Sequence, residues 1–157
     1  MAGIIGYVGM MVGSIGIFFG FYYLLSNPGT SLRLVTLATV GIVGILGFVR
    51  HVIFYKSDAK RLGWETDRPD WMFEVGFANL AFGVMGVFSV IGNQVPNTQA
   101  VILLGYAIYL LQAAALHGFR YFTDTRKSPA RLWRSCIATL LYAGMMAFFA
   151  MRALTLR

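Results

Sequence analysis

Five apolar runs, each close to the length of a bilayer crossing, occupy most of this chain: residues 3–25, 34–55, 71–91, 98–119 and 132–153. A hydrocarbon core of roughly 30 Å takes roughly 17 to 25 apolar residues of helix to cross. Between the runs lie SNPGTS, KSDAKRLGWETDRPD, NQVPNT and TDTRKSPAR, whose proline, glycine and polar residues break helices. Hydrophobic residues make up 58% of the 157 and charged residues 12%, whereas soluble chains average about 45–50% and 25%. A water-soluble fold of this size has no interior large enough to hide so much apolar surface. The chain is therefore predicted to be an all-α integral membrane bundle of five transmembrane helices, a single domain over 1–157. The first run lacks a basic leader and a small-residue cleavage site, which predicts a retained helix and not a signal peptide.

The net charge is +7, and its distribution decides what it means. Ten of the thirteen Lys and Arg residues cluster at or between the ends of runs two and three (Arg50, Lys56, Lys60, Arg61, Arg68) and of runs four and five (Arg120, Arg126, Lys127, Arg131, Arg134). Arg33, Arg152 and Arg157 fall on the other side. Positive loops stay inside, which predicts a cytoplasmic N-terminus and an outside C-terminus. Anionic lipid headgroups are the expected partners of these loops, and nucleic acid is not. Trp64, Trp71 and Trp133 fall at the same predicted boundary, with Tyr22 and Tyr23 at the other, as interfacial aromatics do.

Glycine recurs through the apolar runs although it is among the poorest residues in a helix interior. On a wheel of about 100° per residue, Gly6, Gly9, Gly13, Gly16 and Gly20 fall within an arc of roughly 80°. Run two repeats the device with Gly41, Gly44 and Gly47, and run three with Gly76, Gly83 and Gly86. In lipid no hydrophobic force draws helices together, so small residues that let backbones meet supply the contact. These glycines are predicted to pack helices, either within one bundle or, through the long groove of the first helix, against a second copy or another subunit.

Ionisable and amide side chains inside the runs mark candidate sites. Run two ends with Arg50 and His51, run four with His117 and Arg120, and run five begins near Arg134. Glu74 opens run three and is expected to reach these cations in a polar cluster on the cytoplasmic side. Asn79 lies one turn deeper, on the glycine face, and is expected to hydrogen-bond across a helix interface, as is Gln112 on run four. Imidazole pairs ligate haem iron, so His51 and His117 are an alternative haem pair, although no cofactor is predicted. Cys136 is the single cysteine, which excludes an internal disulfide and favours a small packed residue.

No Walker loop, HExxH, CxxC or GxSxG string occurs, and no catalytic residue is assigned. The strings FYKSDAKRLGW, FEVGFANLAFGVMGVFSV and GYAIYLLQAAALHGFRYF resemble an uncharacterised family of small multi-span bacterial membrane proteins. The resemblance covers roughly 48–122 and rests on Glu74, Gly76, Asn79, Gly83, Gly86 and His117. It implies a bacterial plasma membrane and no established activity. The expected function is a non-catalytic membrane protein that self-associates, as a homo-oligomer, or serves as an accessory subunit of a larger membrane complex. The alternatives are a small oligomeric transporter or channel built around Glu74, His51 and Asn79, and a haem-bearing or lipid-modifying membrane enzyme.

Overall fold

The computed structural model describes residues 1–63, 67–91, 96–123 and 132–155, apart from the side chain of Arg134. Six helices account for nearly all of them: α1 (Ala2–Tyr23), α2 (Pro28–Ile53), α3 (Tyr55–Leu62), α4 (Asp70–Val90), α5 (Pro96–Thr123) and α6 (Ser135–Thr155). All but α3 are long and apolar enough to cross a membrane, and no strand occurs among the described residues. Trp64, Arg126, Lys127 and Arg131 lie outside the described residues.

The second span starts earlier than the break at SNPGTS suggested. Asn27 caps α2, its Oδ1 accepting from the Thr30 N–H at 3.0 Å. Pro28 occupies the first turn, where its missing N–H would have had no helical partner. Ser31 Oγ then donates to the Gly20 carbonyl at 2.7 Å and ties the start of α2 to the end of α1. The charged stretch after α2 is also helical, forming α3, which ends at Gly63 in the left-handed region (φ 70°, ψ 31°), where glycine has no Cβ to clash.

α2 is the hub, touching all four other spans. It is not a regular α-helix: Leu37–Ile42 and Val49–Ile53 are π-helical turns, and a third, Trp133–Ile137, leads into and overlaps the start of α6. A π turn inserts a residue and re-aims the side chains around it.

The seam between α2 and α4 is built from backbone. A Cβ at Gly44 would lie 2.7 Å from the Asn79 carbonyl oxygen and 2.8 Å from Gly83 Cα. One at Gly83 would lie 2.8 Å from Ile45 N, one at Gly86 2.8 Å from Gly41 N, and one at Gly47 2.8 Å from Asn79 Oδ1. Gly76 backs onto Val52 and the Cβ of His51. A Cβ at Gly41 would meet the Val87 side chain at 3.1 Å.

The groove of α1 is filled by this same chain. Gly3 and Gly6 lie beside Arg61 and Arg50, Gly9 beside Leu46, and Gly13 beside the Tyr142 ring and hydroxyl. Gly16 meets Ala38, and Gly20 meets Val35 and Phe149. The groove is occupied by neighbouring helices of the same chain, so it carries no argument for self-association. Large apolar side chains point outward instead, among them Ile4, Met11, Phe18 and Tyr22 on α1, Phe77 and Phe88 on α4, and Phe119 and Phe122 on α5. Such an inverted surface suits acyl chains.

Forcing a side chain into the α2–α4 seam has to push the paired backbones apart. Gly83→Leu is expected to destabilise the detergent-solubilised protein by about 3 kcal/mol or more, at or above the upper range of core overpacking. Gly144 has nothing within 4 Å of an added Cβ, so Gly144→Ala is expected to be neutral or to gain up to about 1 kcal/mol. Thermal denaturation of the two variants checks the contrast.

Candidate functional site

Arg50, His51, Asp58 and Arg61 gather where α2 hands over to α3. Within the π turn Val49–Ile53, Arg50 and His51 both turn toward the bundle. Phe54, at φ −107° and ψ 30°, breaks the helix axis. The first turn of α3 then brings Asp58 back over them, its N–H bonded to the Phe54 carbonyl at 3.0 Å. Ser57 Oγ accepts from the Ala2 N–H at 3.3 Å, so α3 lies under the start of α1.

Asp58 is the centre of this group and its side chain is fully buried, at 0% exposure. Arg61, one turn along α3, donates to Oδ1 from Nε at 2.9 Å and from Nη2 at 2.7 Å. Oδ2 faces His51 Nδ1 at 2.8 Å and Arg50 Nε at 3.6 Å. The 2.8 Å contact sets the Nδ1 edge of the imidazole against the carboxylate, off the geometry of an ideal hydrogen bond. On the other side of the ring, Arg50 Nη2 lies 2.9 Å from His51 Nε2. A guanidinium can only donate, so Nε2 accepts and the ring proton sits on Nδ1, toward the carboxylate.

Burial by itself raises the pKa of Asp58, but the His51 imidazole and the Arg50 and Arg61 guanidinium groups outweigh it and hold the carboxyl at about 2. In the unfolded chain the value is 3.8. A depressed carboxylate stabilises the fold above its unfolded value, and that contribution disappears as pH falls through the folded value.

A second polar node lies deeper, between α4 and α5. Asn79 is 5% exposed. Its Nδ2 donates to the Val75 carbonyl at 2.7 Å and to Tyr109 Oη at 2.9 Å, and its Oδ1 accepts from Tyr106 Oη at 2.7 Å. Gly47 on α2 provides the room for this amide. Tyr106 and Tyr109, one helical turn apart, stack at 5.7 Å, with Phe82 against both.

The polar cluster expected from the sequence is thus divided. Arg50 and His51 meet at Asp58, a residue of the charged stretch that the sequence alone does not single out. Glu74 is exposed: it stands two residues, about 200° of helix, from Gly76, so as Gly76 turns to α2 the carboxylate turns away. Asn79, about 60° from Gly76 on that wheel, belongs to the tyrosine node. His117 is half-buried on α5, within electrostatic reach of Arg50, His51, Asp58 and Arg61. Arg120 and Gln112 are exposed, and the Arg134 side chain lies outside the described residues. Cys136 is half-buried, its Sγ 3.4 Å from where a Cβ at Gly118 would lie.

The haem alternative does not fit His51. Nε2 is committed to Arg50 and Nδ1 faces Asp58, so iron ligation would require giving up one of these contacts. Among the described residues no three His, Cys, Asp or Glu side chains come together as a metal site. Asp58, Arg61, Tyr106 and Tyr109 are the participants that sequence reasoning missed. The signal for them was present in the i,i+3 spacing of Asp58 with Arg61 and of Tyr106 with Tyr109.

Removing the carboxylate leaves cations without their partner. Asp58→Asn is expected to destabilise the protein by about 3–5 kcal/mol, the cost of breaking one side of a buried pair. Between pH 4 and pH 2 the wild type is expected to lose about 2 kcal/mol of stability from this residue alone. Asp58→Asn should lack that component, and acid-dependent denaturation curves of the two proteins test this.

Comparison with characterised proteins and with solved structures gave no match. The model of a family of unknown function, DUF6790, matches residues 6–156, and the chain belongs to that family.

Proposed function

We propose that this is a non-catalytic, multi-pass protein of the bacterial plasma membrane that serves as an accessory subunit of a larger membrane complex. Its N-terminus and the Asp58 end lie in the cytoplasm, and its C-terminus lies outside. The orientation rests on the basic residues near that end, including Arg50, Lys56, Lys60, Arg61, Arg68 and Arg120. The observation that carries the functional reading is how the buried polar groups are used. Asp58 gives both oxygens to Arg61, His51 and Arg50, and Asn79 spends both amide hydrogens and its oxygen on Val75, Tyr109 and Tyr106. Groups so committed tie α2, α3, α4 and α5 together and offer a substrate little to bind. What remains for contact with other molecules is the apolar outer surface and the basic end.

The test is the composition of the particle extracted in mild detergent. The proposal expects a partner protein in fixed stoichiometry, whose level in the membrane falls when this chain is deleted. A lone chain, with membrane complexes unchanged by its deletion, contradicts it.

One observation favours a second reading, a small transporter. Buried polar side chains continue along the bundle away from Asp58: Thr39, Thr36, Ser31, Ser89 and Gln99 are all buried. At the far end a cavity of about 370 Å³ is lined by Asn27, Gly29, Thr30, Arg33, Pro96 and Gln99. Transport predicts proton or ion flux in proteoliposomes that Asn79→Leu abolishes. The accessory reading predicts no flux above empty vesicles.

A further inference from the structure

Among the described residues, the group around Asp58 is not balanced in charge. Two guanidinium groups, Arg50 and Arg61, share one carboxylate. His51 adds no charge, because its Nε2 accepts from Arg50. The excess of one positive charge sits where the apolar stretch of α2 ends, beside the start of α1, and α1 has no acidic residue in its first turn. Among the described residues, His117, Tyr106 and Tyr109 on α5 are also in electrostatic reach, and a histidine or a protonated tyrosine adds no negative charge.

The cations also retain unused donors. Among the described residues Arg61 binds Asp58 through Nε and Nη2 and shows no partner for Nη1, and its side chain is 38% exposed. Arg50 is 29% exposed, and its buried Nε has no hydrogen-bond partner. Its Nη1 lies 3.6 Å from where a Cβ of Gly6 would stand, and Arg61 Cδ lies 4.0 Å from the equivalent point at Gly3. The arginines therefore pack beside the start of α1, where these glycines add no side chain of their own over them. A guanidinium fork matches a phosphate oxyanion in shape and charge. At the edge of an apolar span the phosphate in supply is that of a lipid headgroup.

We infer that Arg50 and Arg61, beside Gly3 and Gly6, form a binding site for the phosphate of one anionic phospholipid, which neutralises the cation left over by Asp58. The site differs from general attraction of basic loops to the membrane surface. It uses two named arginines, binds one lipid per chain, and has an affinity set by the local charge balance.

Native mass spectrometry of the full chain in detergent, titrated with dioleoyl phosphatidylglycerol and separately with dioleoyl phosphatidylcholine, tests it. One phosphatidylglycerol per chain should be retained in preference to phosphatidylcholine. Arg61→Gln brings the group to neutrality and should weaken retention about fivefold or more. Asp58→Asn should strengthen it by a similar factor. The double variant Asp58→Asn/Arg61→Gln removes both sides of one ion pair and restores the excess of one but leaves a single guanidinium in the site, so it should retain the lipid better than Arg61→Gln and less well than the wild type. It also tests the charge argument if Arg61→Gln does not fold. Lys60→Gln, on the exposed side of α3, should change nothing. Millimolar inorganic phosphate distinguishes the two sources of the anion: failure to displace the lipid identifies the lipid as the ligand, and displacement at equal affinity overturns the lipid assignment. Equal retention of the two lipids, or equal losses in Lys60→Gln and Arg61→Gln, overturns the site.

Discussion

Inside a bilayer there is no water, either to drive helices together or to satisfy a polar group that lacks a partner. Both halves of that constraint shape this protein. Where the helices must touch, side chains are removed: α2 and α4 meet through glycine backbone, and α1 opens a groove that Leu46, Tyr142, Ala38, Val35 and Phe149 enter. Where an amide is retained deep in the bundle, it is paired: Asn79 bonds two tyrosines and a backbone carbonyl. The two devices meet at Gly47, where a missing side chain makes space for the Asn79 amide.

Asp58 follows from the same constraint at the edge of the membrane. A carboxylate with no exposed surface is tolerated because three basic side chains surround it. Local geometry brings them there: the π turn aims Arg50 and His51 inward, Phe54 changes the chain direction, and α3 returns Asp58 and Arg61 beneath α1. The same short helix thus closes the bundle and gathers its charge. This geometry also explains the glycines at the start of α1, Gly3 and Gly6, which have no apolar side chain against them. They face the two arginines.

Much of this was legible in the residues. Span positions came from apolar length, and the glycine rows could be read from helical spacing, because both depend on local sequence alone. Asn79 stood out as an amide on a glycine face. The partner of each row could not be read, since a groove of given shape accepts a neighbouring helix of its own chain as readily as another subunit. Asp58 was hidden for a different reason. KSDAKRLGW reads as a solvated charged loop, and only the direction change at Phe54 makes it the lid over Arg50 and His51. The π turns in α2 leave no periodic signature, so a regular wheel misplaces the residues beyond them. Glu74 was overvalued because its position in chain order near the membrane boundary said nothing of the side of α4 it occupies.

The packing of α1 depends on its groove being closed by its own chain. Cysteines at Gly9 and Leu46, in a Cys136→Ser background, measure this most directly when treated with a short bifunctional thiol reagent in native membranes. The double variant Gly9→Cys/Leu46→Cys should cross-link within one chain and run as a monomer on denaturing gels, and Gly9→Cys alone should give no dimer. Dimers from Gly9→Cys alone, with no internal cross-link in the double variant, would show that the groove faces another subunit and would contradict the packing described for α1.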